Sequence, residues 1–434
     1  VASVRLWGRT IGAVSWDADR QLAHFEYDPA FIDSGIEVAP VTMPLSDRIY
    51  SFPALPRDTF HGLPGLLADS LPDRFGSALV DTWLASEGRD PASFNPVERL
   101  CYTGTRGMGA LEFIPMRGPS TKHSKAIDVP SMVNLASEIL TQRSSMKGSF
   151  SSPDRAAALQ DILRVGTSAG GARAKAIIAW NPDSNTLRSG QGDAGKDFSC
   201  WLLKFDGVSG NRDKEQEDPG GYGRIEYAYY LMARAAGIEM SDCRLFQEHG
   251  RSHFMTRRFD RTDTGQKLHM QSLCALNHFD FNRAGAYSYE HALQTMRQLD
   301  LPMSQIEQQY RRMAFNIIAR NQDDHVKNIA FLMDKTGRWS LSPAFDMTYS
   351  YNPAGRWTST HQMTLNGKRD DFTLEDFVAC EKAIAMKRRR GPEILDEVQQ
   401  AVVQWPAFAE AAGVPPETIR QIAAAHRTEI STQA

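Results

Sequence analysis

The sequence predicts an α+β protein of two lobes, β-rich through its first part and mainly helical in its last. Three observations carry that prediction. Strand-like apolar runs at residues 198–206, 243–246 and 253–261 all precede Ser272, and beyond it most of the apolar residues recur at helical spacing. A small-residue stretch and a strand lysine lie in the first part, whereas the densest group of acids and amides lies in the second. An extra β-rich region comes before both. The expected division is a β-rich and helical N-terminal region at 1–140, a β-rich core lobe at 141–262 and a helical lobe at 263–434.

Composition narrows the function classes. A chain of 434 residues with 41% hydrophobic and 23% charged residues is long enough for two or three domains and ordinary for a folded, soluble protein. A net charge of −3 gives no global argument for nucleic-acid or membrane binding, so any such surface must be a local patch. The five cysteines are scattered, with no C-x-x-C pair, as expected of reduced thiols in a cytoplasmic protein. No run reaches the roughly 18 to 20 apolar residues that span a bilayer. The first residues lack the pattern of a signal peptide.

Along the chain, residues 3–50 alternate short apolar stretches with turn residues and predict a strand meander, with a tight hairpin at Gly8-Arg9. Residues 64–87 predict helices broken at Pro72. Gly104, Gly107 and Gly109 read as turns before a strand at 110–115. The Ser-rich residues 141–155 are the best linker candidate. Residues 164–175 (RVGTSAGGARAK) lead into an apolar strand at 176–180 and are expected to lie between two strands. They are either an ordinary flexible hairpin tip or a loop whose N–H groups cradle phosphate oxygens; no Walker pattern is present. Lys204 closes the strand at 198–206, where an ammonium must either snorkel to water or meet an anion. A helix is predicted over 224–237, ending at Gly237, with Glu226 in its first turn. There Glu226 either stabilises the helix start or pairs with Lys204.

Residues 321–328 (NQDDHVKN) pack two acids, an imidazole, an ammonium and amides into a loop between a helix ending near Arg320 and a short buried strand at 329–333. Asp323 and Asn328 have the separation of base and metal-binding amide in the catalytic loop of kinases, and Asp346 follows at about the place of the magnesium-binding acid. Asp323, Asp324 and His325 as a metal site without nucleotide would need distant partners, and none is identifiable.

Taken together, residues 167–175 (TSAGGARAK), Arg258-Phe259-Asp260-Arg261, the 321–328 loop, Phe345-Asp346 and residues 366–372 (NGKRDDF) resemble the HipA family of bacterial serine/threonine-protein kinases. The N-terminal meander resembles that family's extra N-terminal region, so the likeness spans nearly the whole chain. It implies a two-lobed protein-kinase-like fold with ATP and Mg²⁺ as cofactors. By position, Asp323 is the implied catalytic base, with His325 and Lys327 beside it at the transferring phosphoryl group. Asn328 and Asp346 are the implied magnesium ligands, and Lys204 the phosphate-binding lysine. Gly170, Gly171, Ala172, Arg173, Ala174 and Lys175 form the implied loop over the nucleotide, Arg257, Arg258 and Phe259 the hinge at adenine, and Val326 and Phe345 complete the set. Asp324 replaces a glycine of some relatives, and its role is left open. Ser168 is implied to be autophosphorylated, with inactivation as the result, because a phosphoserine adds roughly −1.5 to −2 charge beside the ATP phosphates. The family are toxins of type II toxin–antitoxin modules. They pair with a dimeric helix-turn-helix antitoxin, HipB, that binds operator DNA, they cause growth arrest and persistence, and a translation-related substrate such as glutamyl-tRNA synthetase is implied.

Lys387, Arg388, Arg389 and Arg390 form the only dense basic run, read as a solvated helix end or as a contact to a DNA backbone. The chain is therefore expected to be a cytoplasmic protein kinase. A small-molecule phosphotransferase of the same architecture, or a catalytically silent DNA-bound co-repressor, are the alternatives.

Overall fold

The architecture is that of a computed structural model, which describes residues 1–118, 124, 126–141, 161–163, 165–166, 173–192, 194–208 and 220–430. The chain opens with strands β1 (Ala2–Leu6), β2 (Arg9–Asp17) and β3 (Leu22–Tyr27), and β4 (Leu111–Ile114) joins them in an antiparallel sheet of order β3-β2-β1-β4. Trp7 (φ 51°) and Gly8 (φ 83°) form the two-residue turn between β1 and β2, whose left-handed backbone matches the strand twist. The meander stops at Tyr27 and does not run to residue 50: Asp28 caps a short helix, Pro29–Ile32, and only a bridge from Phe25 to Tyr50 follows. Helices Gly65–Ala68 and Arg74–Ser86 flank Pro72 as expected.

A five-stranded antiparallel sheet follows: β5 (Lys175–Asn181), β6 (Thr186–Ser189), β7 (Ser199–Lys204), β8 (Cys243–Glu248) and β9 (Arg251–Arg257), in the order β6-β5-β7-β9-β8. Residues 161–163 and 165–166 are helical, so the small-residue stretch before β5 does not join two strands as expected. Helix Tyr222–Ala235 connects β7 to β8 and packs on β8 and β9. The last part holds more than helices. Strands β10 (His269–Ser272), β11 (Ala330–Met333) and β12 (Trp339–Leu341) form a small antiparallel sheet, and irregular backbone fills residues 342–373. Around them pack helices Leu273–Asn277, Tyr289–Gln298, Met303–Ile318, Leu374–Ala383, Arg390–Val403, Trp405–Ala411 and Pro416–Ala425.

Two apolar cores hold this arrangement and cut across residue 140. One joins Val4, Phe25 and Phe113 of the first sheet to Phe315, Phe377 and Trp405 of the helical lobe. The other joins Phe75 and Leu79 of helix Arg74–Ser86 and Ile139 to Ala176, Ile178 and Leu203 of the five-stranded sheet. Each such fully buried side chain contributes about 1.5–3 kcal/mol, so the N-terminal region is bound into both lobes. Helix Met303–Ile318 turns Ile306, Tyr310, Met313 and Ile317 inward, and Arg320 at φ 58° breaks the helical path and starts the polar loop.

Candidate active site

Lys204 ends β7 in a buried position, and its Nζ donates to Glu226 Oε1 at 2.5 Å and to Asp346 Oδ1. The ammonium therefore meets anions and does not snorkel. Burial works to lower the affinity of Lys204 for its proton, but Asp346 and Glu226 outweigh it and hold the group above the usual lysine range. Glu226 is not in the first turn. Gly221 (φ 97°) starts the helix at Tyr222, and Gly223 lies so close to the Ser252 carbonyl that a Cβ would sit 2.2 Å from it. The early start carries Glu226 into the second turn, facing the sheet, which leaves pairing with Lys204 as its role. Arg173 packs 3.3 Å from the Tyr222 ring centre and approaches Glu226 Oε2 at 3.6 Å.

Asp346 follows Phe345 at φ 53°, a left-handed backbone that costs energy in a non-glycine residue. Its side chain stays 33% exposed. Burial would raise its carboxyl, yet Lys204, with Lys175 behind it, lowers it to about 2.

The 321–328 loop lies against Asp346. Asn321 Nδ2 bonds Asn316 Oδ1 at 2.9 Å and the Asp346 carbonyl at 3.4 Å, linking the loop to Asp346. Asp323 Oδ1 accepts the Trp357 indole N–H at 2.7 Å, lies 3.8 Å from His325 Nε2, and leaves the side chain 45% exposed. Asn328 Nδ2 donates to the Asp323 carbonyl at 2.8 Å, which spends the donor end of the amide and leaves its oxygen as a ligand-type atom. Val326 is buried in a single 3₁₀ turn, Val326–Asn328. His325 and Lys327 flank the Phe281 ring, and His325 Nδ1 is buried with no hydrogen-bond partner among the described residues. Asp324 turns the other way: fully buried, it accepts from Tyr289 Oη at 2.5 Å, His361 Nδ1 at 2.8 Å and the Gln362 N–H at 2.7 Å. Its role, open in the sequence, is to anchor the loop.

The other expected residues fall in different surroundings. Lys175 is buried against Asp73, 3.3 Å from its Oδ2, and the Ala174 carbonyl accepts the Phe205 N–H at 3.0 Å. Phe259 packs on Phe345 with ring centres 5.6 Å apart. Arg257 pairs with exposed Asp263, whereas the Arg258 guanidinium is buried on Asp260 and the Gly107 carbonyl, so Arg258 has only backbone to offer a ligand. Ser168, Gly170, Gly171 and Ala172 lie outside the described residues. The basic run does not sit at the C-terminal end of a helix. It lies between two helices and enters the start of Arg390–Val403, where Glu381 accepts from the Arg389 and Gly391 N–H groups. Lys387, Arg388 and Arg389 are exposed, while Arg390 is engaged by Glu307, Glu393 and Glu397.

Sequence reasoning missed Asp73, Trp357 and the Tyr289–His361 anchor. Asp73 before a helix signals a cap, which it is, but nothing local signals that its second oxygen meets a lysine 102 positions onward. Asp346 and Asn328 offer hard oxygen donors of the kind magnesium takes, and Lys204 a fixed cation for an anionic ligand. Among the described residues no group of three His, Cys, Asp or Glu side chains forms a closed metal site.

Comparison with known proteins places the chain. The HipA-like C-terminal domain matches residues 167–427 and the HipA N-terminal domain residues 2–114. No curated protein matches. Among solved structures, the toxin–antitoxin complex of HipA, HipB and operator DNA from Shewanella oneidensis MR-1 contains a chain similar at TM-score 0.68 and 16% identity, over 99% of this chain and 95% of that one. The proinflammatory kinase CtkA of Helicobacter pylori gives a TM-score of 0.34 at 12% identity, over 54% of this chain and 88% of that one. Because the C-terminal match alone takes in well over half of the sequence and the fold follows HipA from end to end, the chain belongs to the HipA family.

Proposed function

We propose that this chain transfers the terminal phosphoryl group of ATP, with magnesium, to a serine or threonine hydroxyl of a protein. The observation that carries the proposal is the Lys204 ammonium held between Glu226 and Asp346, with Asp346 against a loop that keeps the Asp323 carboxylate half exposed. Asp346 and the Asn328 amide oxygen are the groups to hold the metal. Lys204, Lys175, Arg173 and the segment 170–172 are the groups to hold the phosphates. When bound, magnesium ATP supplies the phosphoryl group, and the metal neutralises the charge that develops on it.

Everything else falls to the chain's own groups. Asp323 orients the acceptor hydroxyl and takes its proton, and the Trp357 N–H fixes which way that carboxylate faces. Glu226 keeps Lys204 aimed at the phosphates. His325 and Lys327 stand beside Asp323, where a ring N–H and an ammonium stabilise negative charge. Phe259 and the backbone of Arg257 and Arg258 form the hinge at adenine.

The Shewanella relative is seen with HipB and operator DNA. By that likeness the partners of this chain are a dimeric helix-turn-helix antitoxin and, through it, operator DNA, with exposed Lys387, Arg388 and Arg389 as candidate backbone contacts. The biological outcome is growth arrest and persistence in a bacterial cytoplasm. A translation factor such as glutamyl-tRNA synthetase is the substrate class to try first, and Ser168 the site of inhibitory autophosphorylation.

Radiolabelled ATP with the purified chain and a soluble extract tests the proposal. Label is expected on protein with wild type and none with Asp323→Asn. Intact-mass analysis should add one phosphate to the chain itself, lost in Ser168→Ala. Unchanged labelling in Asp323→Asn contradicts the assignment.

A further inference from the structure

Lys175 and Lys204 face each other across β5 and β7 in register, so both side chains stand on one face of the sheet. Glu226 and Asp346 hold Lys204. Lys175 is 2% exposed, and its ion-pair partner comes from the N-terminal region: Asp73 Oδ2 at 3.3 Å, with both side chains 3% exposed. The other oxygen of Asp73 accepts the Gly76 N–H at 2.6 Å and so caps helix Arg74–Ser86. One carboxylate therefore does two things, starting a helix with one oxygen and facing a buried ammonium with the other. That helix is seated at the base of the small-residue segment. A Cβ on Gly166 would lie 2.8 Å from Leu79, and Phe75 and Leu79 share a core with Ala174 and Ala176.

An ammonium this deeply buried keeps its charge only with an anion beside it. The register of β5 on β7 sets Lys175 directly opposite Lys204, so the two lysines are neighbours on one face of the sheet. We propose that Asp73 is a positioning residue of the nucleotide site, through which the N-terminal region holds Lys175 charged and aimed as a second phosphate-facing cation. This rests on the nucleotide site assigned above. Asp73 itself touches no ligand and acts only through Lys175.

Isothermal titration of ATP without metal, in EDTA, tests this on the full chain without using activity as the readout. Asp73→Asn keeps the cap, because asparagine accepts from Gly76 as well as aspartate does, and removes only the charge. We expect Asp73→Asn and Lys175→Met each to weaken ATP binding about tenfold, the scale of one charge-assisted contact. The double variant should bind no more weakly than Lys175→Met alone, since the two residues form one unit. It also buries no unpaired ion, so it keeps the comparison available if Asp73→Asn fails to fold.

A merely structural Asp73 would lower the melting temperature and leave the ATP Kd unchanged. If Asp73→Asn or the double variant binds within about twofold of wild type while Lys204→Met is weakened, the proposal falls and the nucleotide site stands. If wild type binds ATP neither in EDTA nor with magnesium, or binds it no better than Lys204→Met, both fall; binding that needs magnesium and is unchanged in Asp73→Asn removes the proposal alone.

Discussion

Two buried charge clusters in this protein use the same residue types and end differently. Asp260 is 0% exposed, and its oxygens accept from Arg258 Nε at 2.9 Å, Arg258 Nη2 at 2.6 Å, Arg261 Nη1 at 2.8 Å and the Gly109 N–H at 2.7 Å. Both oxygens are engaged, Oδ1 by one donor and Oδ2 by three, and the cluster ties the segment after β9 to the turn before β4. Around Lys204 the account stays open. Glu226 Oε2 has no hydrogen bond among the described residues, only the 3.6 Å approach of Arg173, and Asp346 keeps a third of its side chain exposed. A buried charge that is fully satisfied is a strut, whereas one with oxygens to spare can take a ligand.

Substitutions should separate the two clusters, the largest effect first. Lys204→Met or Asp346→Asn should lower phosphotransfer by about a hundredfold to a thousandfold, the scale of one electrostatic contact to developing charge. Asp346→Asn should lower the melting temperature little, because that side chain is a third exposed, whereas Lys204→Met also strands buried Glu226 and should lower it; rate assays beside thermal melts decide it. Asp260→Ala should do the reverse and destabilise the fold by about 3–5 kcal/mol in a denaturant titration, since it strands Arg258 in the interior. Burial would raise the Asp260 carboxyl, but Arg258 and Arg261 hold it well below its ordinary 3.8. A carboxyl lowered in the folded state contributes stability above its unfolded value and loses it as pH falls further. Wild type should therefore lose stability on acidification below about pH 4, and Asp260→Asn should show a flatter acid limb.

Trp357→Phe removes one hydrogen bond to Asp323 and keeps the ring. It should reduce kcat by about tenfold with little change in KM for ATP, read from steady-state kinetics. Smallest is Arg390→Ala: its three carboxylates lie near the surface, so the loss should stay within about 1 kcal/mol of stability and leave phosphotransfer unchanged.

Much of this was legible where chemistry is local. The Asp323 to Asn328 spacing, the lysine closing an apolar strand and the helix stop at Gly237 are readable because neighbours in sequence decide them. The small sheet was legible only in its middle strand, Ala330–Met333. Its first strand, His269–Ser272, carries His269, Gln271 and Ser272 buried, against the pattern of an apolar strand, because His269 and Gln271 find the Val38 carbonyl. Glu226 was placed one turn too early because two glycines, not the first polar residue, set where its helix begins. Trp357 on Asp323 and Asp73 on Lys175 were invisible for a different reason. Each joins segments that only the folded chain brings together, and neither residue type announces its partner.

The most direct test of the open cluster is the melting temperature of the full chain with and without saturating magnesium ATP, compared between wild type and Asp346→Asn. At about a hundred times Kd a ligand adds about 2.7 kcal/mol to the folded state. A clear rise in wild type, absent or strongly reduced in an equally folded Asp346→Asn, is the predicted result. An equal rise in both proteins, or none in wild type, would contradict the account.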